Sequence, residues 1–492
     1  MKVFILTEGG MQIGFGHITR CLALSQAFEE KKIVTVFFIN GDVSVDSLLE
    51  GKDYQIIDWL KCREEMFRTL EGSDIVVIDS YLADLAFYTK VRDIAKVPIY
   101  FDDTCRIEYP RGIVVNATVG AEYWPYPRHQ DVHYLLGSQY VPLLREFWDI
   151  PEKEVRQNLE TVLVTFGGSD TRYMTPKILE ALKEFDSCLT RIVTIGNGFD
   201  RIQEIEKYSD RKTRIIHSPG PALMRDIMIE ADVAVSAGGQ TLHELARACV
   251  PTVAVAVADN QAGNIKGFAE AGVIEYAGLW DDPDLLIKIR ACLTALRAPE
   301  ARRLKIAAGR RLIGSQGSQE IVAYAYARYI EEGLVVRRFD TQDIRKIYEL
   351  SNEKSVRESS FKRDPIPWEN HKSWFQRRLA DSCSLSLAVE VHGDLVGQVR
   401  FEVQEGEAVI SISVDKGYRG FGLGKIIMQK ALAFLKDAFP STAIVRAQIR
   451  SENTASMKFF ESCGFHFSKD FISRGQNAVE YIYAYSELGH ED

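Results

Sequence analysis

Over residues 1–150, short runs of β-branched and apolar residues alternate with stretches whose apolar positions recur every three or four residues. The runs at 3–7, 34–39, 75–79, 99–102 and 113–116 predict strands, and 18–30 predicts a helix. The strands are apolar throughout rather than alternating, as in a parallel sheet covered on both faces. A polar stretch at 149–160 interrupts the pattern. It resumes with strands at 161–166, 191–195, 214–216, 233–236 and 252–257, and closes in a long helix over 318–332. Two tandem doubly wound Rossmann-like α/β units are therefore expected, over 1–150 and 151–333, with a ligand cleft at the carboxyl ends of their strands.

Near residue 334 the order of elements changes. A strand at 335–339 and helices at 341–350 and 370–380 precede consecutive strands at 384–391, 395–402 and 407–414. The turns between them, HGD and QEG, are too short for parallel crossovers, so this sheet is antiparallel. A helix at 422–436, a strand at 442–448, a helix at 454–463 and a strand at 480–485 complete an α+β domain over 335–492. No internal repeat and no low-complexity linker stands out.

Composition narrows the classes. The chain has 492 residues, 46% hydrophobic and 26% charged, the balance of a folded protein rather than a disordered one. With 60 Lys+Arg against 69 Asp+Glu the net charge is −9, which speaks against a broad nucleic-acid-binding surface. The eight cysteines include no CxxC pair, so a zinc ribbon is not expected, and their scatter suits reduced thiols in a cytoplasmic protein. The longest apolar stretch, 250–258, is far short of the about 20 residues of a membrane span. The oligomeric state is not legible.

The first strand runs into GGMQIGFGH, and a helix follows directly. Glycines at a strand–helix turn, here Gly14 and Gly16, let backbone N–H groups approach phosphate or sugar oxygens. The spacing is not GxGxxG, which disfavours a dinucleotide. His17 stands at the start of the helix, where the positive dipole end disfavours imidazolium and so favours a neutral base. A histidine that only braces the turn is the competing reading. The second unit has comparable turns at Gly167, Gly168 and Ser169, at Ser236, Gly238, Gly239 and Thr241, and at Asn260 and Gln261. Glu244, one turn further, could accept from ribose hydroxyls or merely interact with the helix end.

Taken together, GFGHITRCLALSQAF, FGGSD, SAGGQTLHELA and the following DNQ resemble the PseG family of UDP-sugar hydrolases, similar to the MurG transferases, over about residues 1–330. The resemblance implies a GT-B fold and a base at His17 that activates water against the anomeric carbon, with inversion and loss of UDP. It also implies Tyr81, in DSY, as a sugar contact, and no metal.

In the last domain, ISVDKGYRGFGLGK sets a strand, a turn and a helix start in order. Arg419, Gly420, Gly422, Gly424 and Lys425 form an R-x-x-G-x-G pattern suited to a pyrophosphate. Asn453 and Ser456 open a helix that ends at CGF. This pair resembles the GNAT acetyltransferase superfamily, and SNEKSVRESSF with HKSWF resembles its amino-sugar branch, including the PseH acetyltransferase. The resemblance implies acetyl-CoA, bound along Ile412 and Val414 and by the R-x-x-G-x-G turn. One departure stands out: Phe460 occupies the place of a tyrosine that commonly protonates the leaving thiolate, leaving Ser456, Tyr481, Tyr483 or water to do so. Glu402 and Glu407 are candidate bases only by their place on central strands.

The expected activities are N-acetylation of the 4-amine of UDP-4-amino-4,6-dideoxy-N-acetyl-β-L-altrosamine and hydrolysis of the diacetamido product to free sugar and UDP. Two alternatives remain: a glycosyltransferase in the first half, or an acetyl-CoA domain that senses rather than catalyses. Neither nucleic acid nor membrane is an expected partner.

Overall fold

The computed structural model describes residues 1–11, 13–127, 129–420 and 422–485. The chain divides into two compact units, Met1–Ala325 and Tyr326–Asp492.

The first unit holds two all-parallel sheets. The first contains β1 (Val3–Gly9), β2 (Thr35–Gly41), β3 (Asp53–Ile56), β4 (Ile75–Asp79), β5 (Val97–Phe101), β6 (Gly112–Asn116) and β7 (Val132–Leu136), in the order β3-β2-β1-β4-β5-β6-β7. The second contains β8 (Thr161–Thr165), β9 (Thr190–Ile195), β10 (Thr213–His217), β11 (Val233–Ala237), β12 (Thr252–Ala256) and β13 (Ile274–Leu279), in the order β10-β9-β8-β11-β12-β13. Each order reverses beside its first strand, which opens a crevice at the carboxyl ends of β1 and β4 and of β8 and β11. The two sheets thus repeat one topology although no repeat is visible in the sequence, since topology needs only the same succession of apolar runs.

The central strands β4, β5, β6, β8, β11 and β12 are buried at every position, which is why they read as unbroken apolar runs. Leu6, Val76, Ile78, Tyr100 and Val114 pack with Trp59 and Phe87 in one core. Val164, Val193, Val235 and Val255 pack with Ile178, Leu182 and Ile289 in the other. The polar stretch 149–160 is tied down: Lys153 donates to backbone carbonyls of Met228 and Ala231, and Arg156 pairs with Asp232 at 3.2 Å. Burial pushes Lys153 down to about 8, so its head is held by carbonyls rather than by water.

The second unit is one sheet of β14 (Leu334–Arg338), β15 (Ser384–Val391), β16 (Asp394–Gln404), β17 (Glu407–Val414), β18 (Ile444–Arg450), β19 (His466–Ser473) and β20 (Gln476–Ala484), ordered β14-β15-β16-β17-β18-β20-β19. Every pair is antiparallel except β17 with β18. The two hairpin turns place His392–Gly393 and Glu405–Gly406 at positive φ, the backbone of tight two-residue connections. Phe339, Ile347, Phe375 and Ala388 pack under the helices. Among the described residues no helix is long and apolar enough to cross a membrane.

Four strands were not foreseen from the pattern: β3, β7, β13 and β19. They share a cause. Each lies at or near a sheet edge and is only partly buried, so its polar residues dilute the apolar signal. The first helix begins at Gly16, so His17 lies inside its first turn.

Candidate active sites

His17 sits where the first helix leaves the crevice between β1 and β4. Its Nδ1 lies 2.6 Å from Oδ1 of Asp79, the last residue of β4. Arg20, one turn along the same helix, donates to Asp79 at 2.5 and 2.6 Å and to both oxygens of Asp103 at 2.8 Å. Asp103 also accepts the Tyr81 hydroxyl at 2.5 Å, and the Tyr81 ring meets the His17 ring edge-on at 4.6 Å. Five side chains from two strand ends and one helix thus hold one another in a closed, largely buried network.

The charges explain its order. Burial alone pushes the Asp79 carboxyl up, but the adjacent Arg20 and His17 outweigh this and hold it well below the usual carboxylate range. Burial, and then the Asp103 charge, push the Tyr81 hydroxyl above its ordinary value, so it remains a donor. With Nδ1–H donated to Asp79, the lone pair of His17 lies on Nε2, and the carboxylate stabilises the imidazolium that proton uptake would form. That is the arrangement of an oriented general base. The loop before it is clipped by paired hydrogen bonds between Gly10 and Gly14, of 3.1 and 2.8 Å. Gly14 has φ +90°, and a Cβ on Gly14 or Gly16 would meet nothing within 4 Å. Both backbones therefore stand open.

The second crevice faces this one closely enough that a Cβ on Gly168 would lie 2.4 Å from the Phe15 ring. Gly168 thus permits the approach of the two halves. Gly238 has a similar steric duty, since a Cβ there would lie 2.3 Å from Ile265. Gly239 is open, with nothing nearer than 3.9 Å, and Thr241 and Gly167 stand beside each other. Ser236 is fully buried and donates to the Ala237 carbonyl at 3.2 Å. Gln261 accepts from the Gly238 and Val257 N–H groups at 3.2 and 3.0 Å, which braces the loop, while Asn260 is exposed and Ser169 lies against Gly198. Glu244 is partly buried, with no partner for its carboxyl among the described residues, and burial pushes it up to about 7.

Arg20, Asp79 and Asp103 were not among the expected site residues. The sequence signal for Arg20 is its i,i+3 spacing from His17, which puts both on one helix face. The aspartates follow strand ends, a placement shared with many inert residues. His243 was also missed. It is buried, its Nε2 has no hydrogen-bond partner among the described residues, and burial pushes it down to about 4.

In the second unit, β17 pairs with β18 only from Glu407 to Ile410. Beyond that the two strands separate while β17 stays paired with β16 as far as Val414. On the β18 side the backbone groups of Ile412 and the N–H of Val414 are therefore left for another partner, as an extended pantetheine arm requires. The following turn places Gly420 and Gly422 at φ +85° and +76°, and a Cβ on either would meet nothing within 4 Å. This cradle fits a pyrophosphate. Gly424 differs: a Cβ would lie 2.7 Å from Phe459, so it seats the helix Leu423–Ala438 against Thr454–Ser462. Lys425 is exposed. Arg419 donates to the Val414 carbonyl at 2.7 Å and to Ser355 at 2.9 Å, so its side chain ties the turn to its neighbours. Asn453 caps its helix by accepting the Ser456 N–H at 3.1 Å.

Phe460 is buried among Phe459 and Phe465, with no hydroxyl at that place. Tyr481 donates to Glu461 at 2.8 Å, and Tyr483 packs on Phe465. Both candidate carboxylates are paired with arginine: Glu402 is hydrogen-bonded to Arg378, and Glu407 accepts two bonds of 2.7 Å from Arg446, which lower its pKa.

The sequence pattern of the acetyltransferase (GNAT) family matches residues 342–465. An uncharacterized protein of Methanocaldococcus jannaschii is 24% identical over 95% of this chain and 97% of its own length. A Helicobacter pylori protein named as pseudaminic acid cytidylyltransferase and UDP-2,4-diacetamido-2,4,6-trideoxy-β-L-altropyranose hydrolase is 24% identical over 57% of this chain and 49% of its own. The spore coat polysaccharide biosynthesis protein SpsG of Bacillus subtilis is 22% identical over 68% of this chain and all of its own. Two parallel sheets carrying the GxGH turn, followed by a sheet that splays above an R-x-x-G-x-G turn, agree with these likenesses: the chain joins a PseG-like unit to a GNAT-like acetyltransferase domain.

Proposed function

We propose that the chain performs two consecutive reactions on one nucleotide sugar. The second unit acetylates the 4-amine of UDP-4-amino-4,6-dideoxy-N-acetyl-β-L-altrosamine from acetyl-CoA. The first unit then hydrolyses UDP-2,4-diacetamido-2,4,6-trideoxy-β-L-altropyranose with inversion, releasing the free sugar and UDP. The observation that carries the hydrolytic half is the His17–Asp79 pair at the crevice, a base already oriented by a carboxylate. His17 Nε2 takes a proton from water as the water oxygen attacks the anomeric carbon, and the bond to the UDP oxygen breaks. UDP is a stable leaving group, so positioning and charge stabilisation supply most of the barrier reduction. Tyr81 contacts the sugar. On the opposite crevice Gly167, Gly239, Thr241 and Glu244 receive the nucleotide, with Asn260 at the rim.

In the second unit the thioester supplies the acetyl group. Gly420 and Gly422 hold the pyrophosphate, and the splayed backbone of Ile412 and Val414 aligns the thioester. The neutral amine attacks the carbonyl carbon, the C–S bond breaks, the nitrogen gives up one proton to water, and the thiolate leaves toward the face closed by Phe460. Lacking a hydroxyl there, the thiolate takes its proton from water or from Ser456.

Mass spectrometry of products from synthetic UDP-amino-sugar, with and without acetyl-CoA, tests both halves. The expected products are the acetylated UDP-sugar, then free diacetamido sugar and UDP. Acetylation without any UDP release would remove the hydrolytic assignment, and UDP release without acetylation would remove the other.

A further inference from the structure

Almost every partly buried arginine of the second unit has a carboxylate. Arg337 has Asp343 and Glu390, Arg378 has Glu402, Arg446 has Glu407 and Glu480, and Arg450 has Glu452. Arg400 on β16 and Arg357 on the helix Lys354–Ser359 form no ion pair among the described residues. The Nε of each is closed to solvent and holds no hydrogen bond among the described residues. Arg357 otherwise donates to the Lys362 carbonyl and the Ser360 hydroxyl. Arg400 donates to the Ser411 hydroxyl at 2.8 Å and lies over the Trp374 ring at 5.2 Å. Burial, and then the charge of Arg378, push Arg400 down to about 10, with Glu402 opposing and Arg357 adding to the shift. Two partly buried cations that hold no direct ion pair among the described residues are an incompletely compensated cost in the free protein.

Their location is informative. Arg400 pairs directly with Ser386 on one side and Ser411 on the other, so the three share one face of the sheet. Ser411 is the first residue of β17 beyond the last pair with β18, where the splay begins. Arg400 therefore lies beside the place where an acceptor amine must meet the thioester, and Arg357 stands near enough to add to its charge.

We infer that Arg400 and Arg357 form an anion site for the acceptor of acetyl transfer, receiving the diphosphate of a nucleotide sugar. The inference rests on the acetyltransferase reading above and adds to it the group by which the acceptor is recognised. A phosphate bound beside the two guanidiniums supplies the missing countercharge.

The test uses the full chain with two acceptors, the UDP-amino-sugar and the methyl glycoside of the same amino sugar, which carries no phosphate. Wild type is expected to favour the UDP form, and Arg400→Gln or Arg357→Gln to cut that preference by about 10–100-fold, the usual weight of charged hydrogen bonds. The loss should lie in the acceptor KM, with the acetyl-CoA KM within about twofold of wild type. A preference that survives in both variants overturns the site, and so does a wild type that treats the acceptors alike. A matching rise in the acetyl-CoA KM would give the arginines to the coenzyme's phosphates instead, which also overturns the assignment. If wild type acetylates neither sugar, the substrate reading fails on its own. The anion site is then decided by hydrogen exchange with inorganic diphosphate: protection over 354–362 and 396–402 in wild type, absent in Arg400→Gln, supports it, and no protection in wild type sinks it. Arg400→Lys, which keeps the charge but not the fork, should fold as wild type does and recover only part of the preference.

Discussion

At the crevice of the first sheet the chemistry is carried by side chains that already hold each other. His17, Asp79, Arg20, Asp103 and Tyr81 are linked through contacts of 2.5–2.8 Å, apart from the ring contact. At the turn after β17 in the second unit it is carried by backbone, with Gly420 and Gly422 at positive φ and open space where a Cβ would stand. The difference follows from the task. A base must be aimed and must tolerate a charge change, which needs neighbours of fixed sign. A pyrophosphate needs several N–H groups on a concave surface, which side chains would obstruct. The first site should therefore fail when a side chain is removed, and the second when one is added.

The largest effect is expected at His17. His17→Ala should slow UDP release by about 10²–10⁴-fold, the range for a missing general base, while acetyl transfer continues. Release within a few-fold of wild type would leave His17 as a brace for the turn. Next comes Asp79→Ala, which strands the buried Arg20 beside only Asp103. A loss of about 3–5 kcal/mol in stability, read from denaturant unfolding, is expected on top of lost hydrolysis. A variant as stable as wild type would show that the network is not holding the crevice.

Glu244→Gln should weaken UDP binding by about 1–3 kcal/mol in calorimetry, the cost of leaving a buried partner unsatisfied. Unchanged affinity would take Glu244 out of the nucleotide site. For the backbone-built site, Gly422→Val should weaken acetyl-CoA by roughly 1–2 kcal/mol through the forbidden φ alone, and more through the added bulk. The neighbouring Lys425→Ala, an exposed side chain, should change it by no more than about 0.5 kcal/mol. The reverse ranking would erase the contrast between the two sites. Gly424→Val is a poorer probe, because it collides with Phe459 before it reaches any ligand.

The smallest effect is a pH slope. Burial raises Glu244 to about 7, so it is largely protonated at pH 6 and ionised at pH 8. An ionised carboxylate accepts from ribose hydroxyls at both oxygens, so UDP affinity should rise through this interval, by less than about tenfold. Glu244→Gln should remove the slope. A slope that persists in the variant belongs to another group.

Much of this was legible beforehand. Strands buried on both faces announced two parallel sheets, because a continuous apolar run survives any packing partner. The hairpin turns and the strand–turn–helix order announced the third sheet. The backbone setting of His17 at a helix start and of Gly420 and Gly422 in an open turn was legible, because glycine and a helix start constrain local backbone, which is a property of neighbours in the chain. The edge strands were not, since half-buried strands carry too few apolar residues. Nor were the duties of glycines: Gly168, Gly238 and Gly424 read like phosphate-loop residues, yet each faces a packed side chain.

By itself the sequence determined the succession of the central strands, the three sheets and the places where backbone opens, all consequences of periodicity and of the steric freedom of glycine. Only the tertiary structure decided which charges meet. Asp79 and Asp103 reach Arg20 from 59 and 83 residues away, and Arg400 and Arg357 hold no direct ion pair among the described residues although acidic residues surround them in the sequence. Electrostatic pairing depends on distance and burial in space, and neither quantity is encoded in the spacing of residues along a chain.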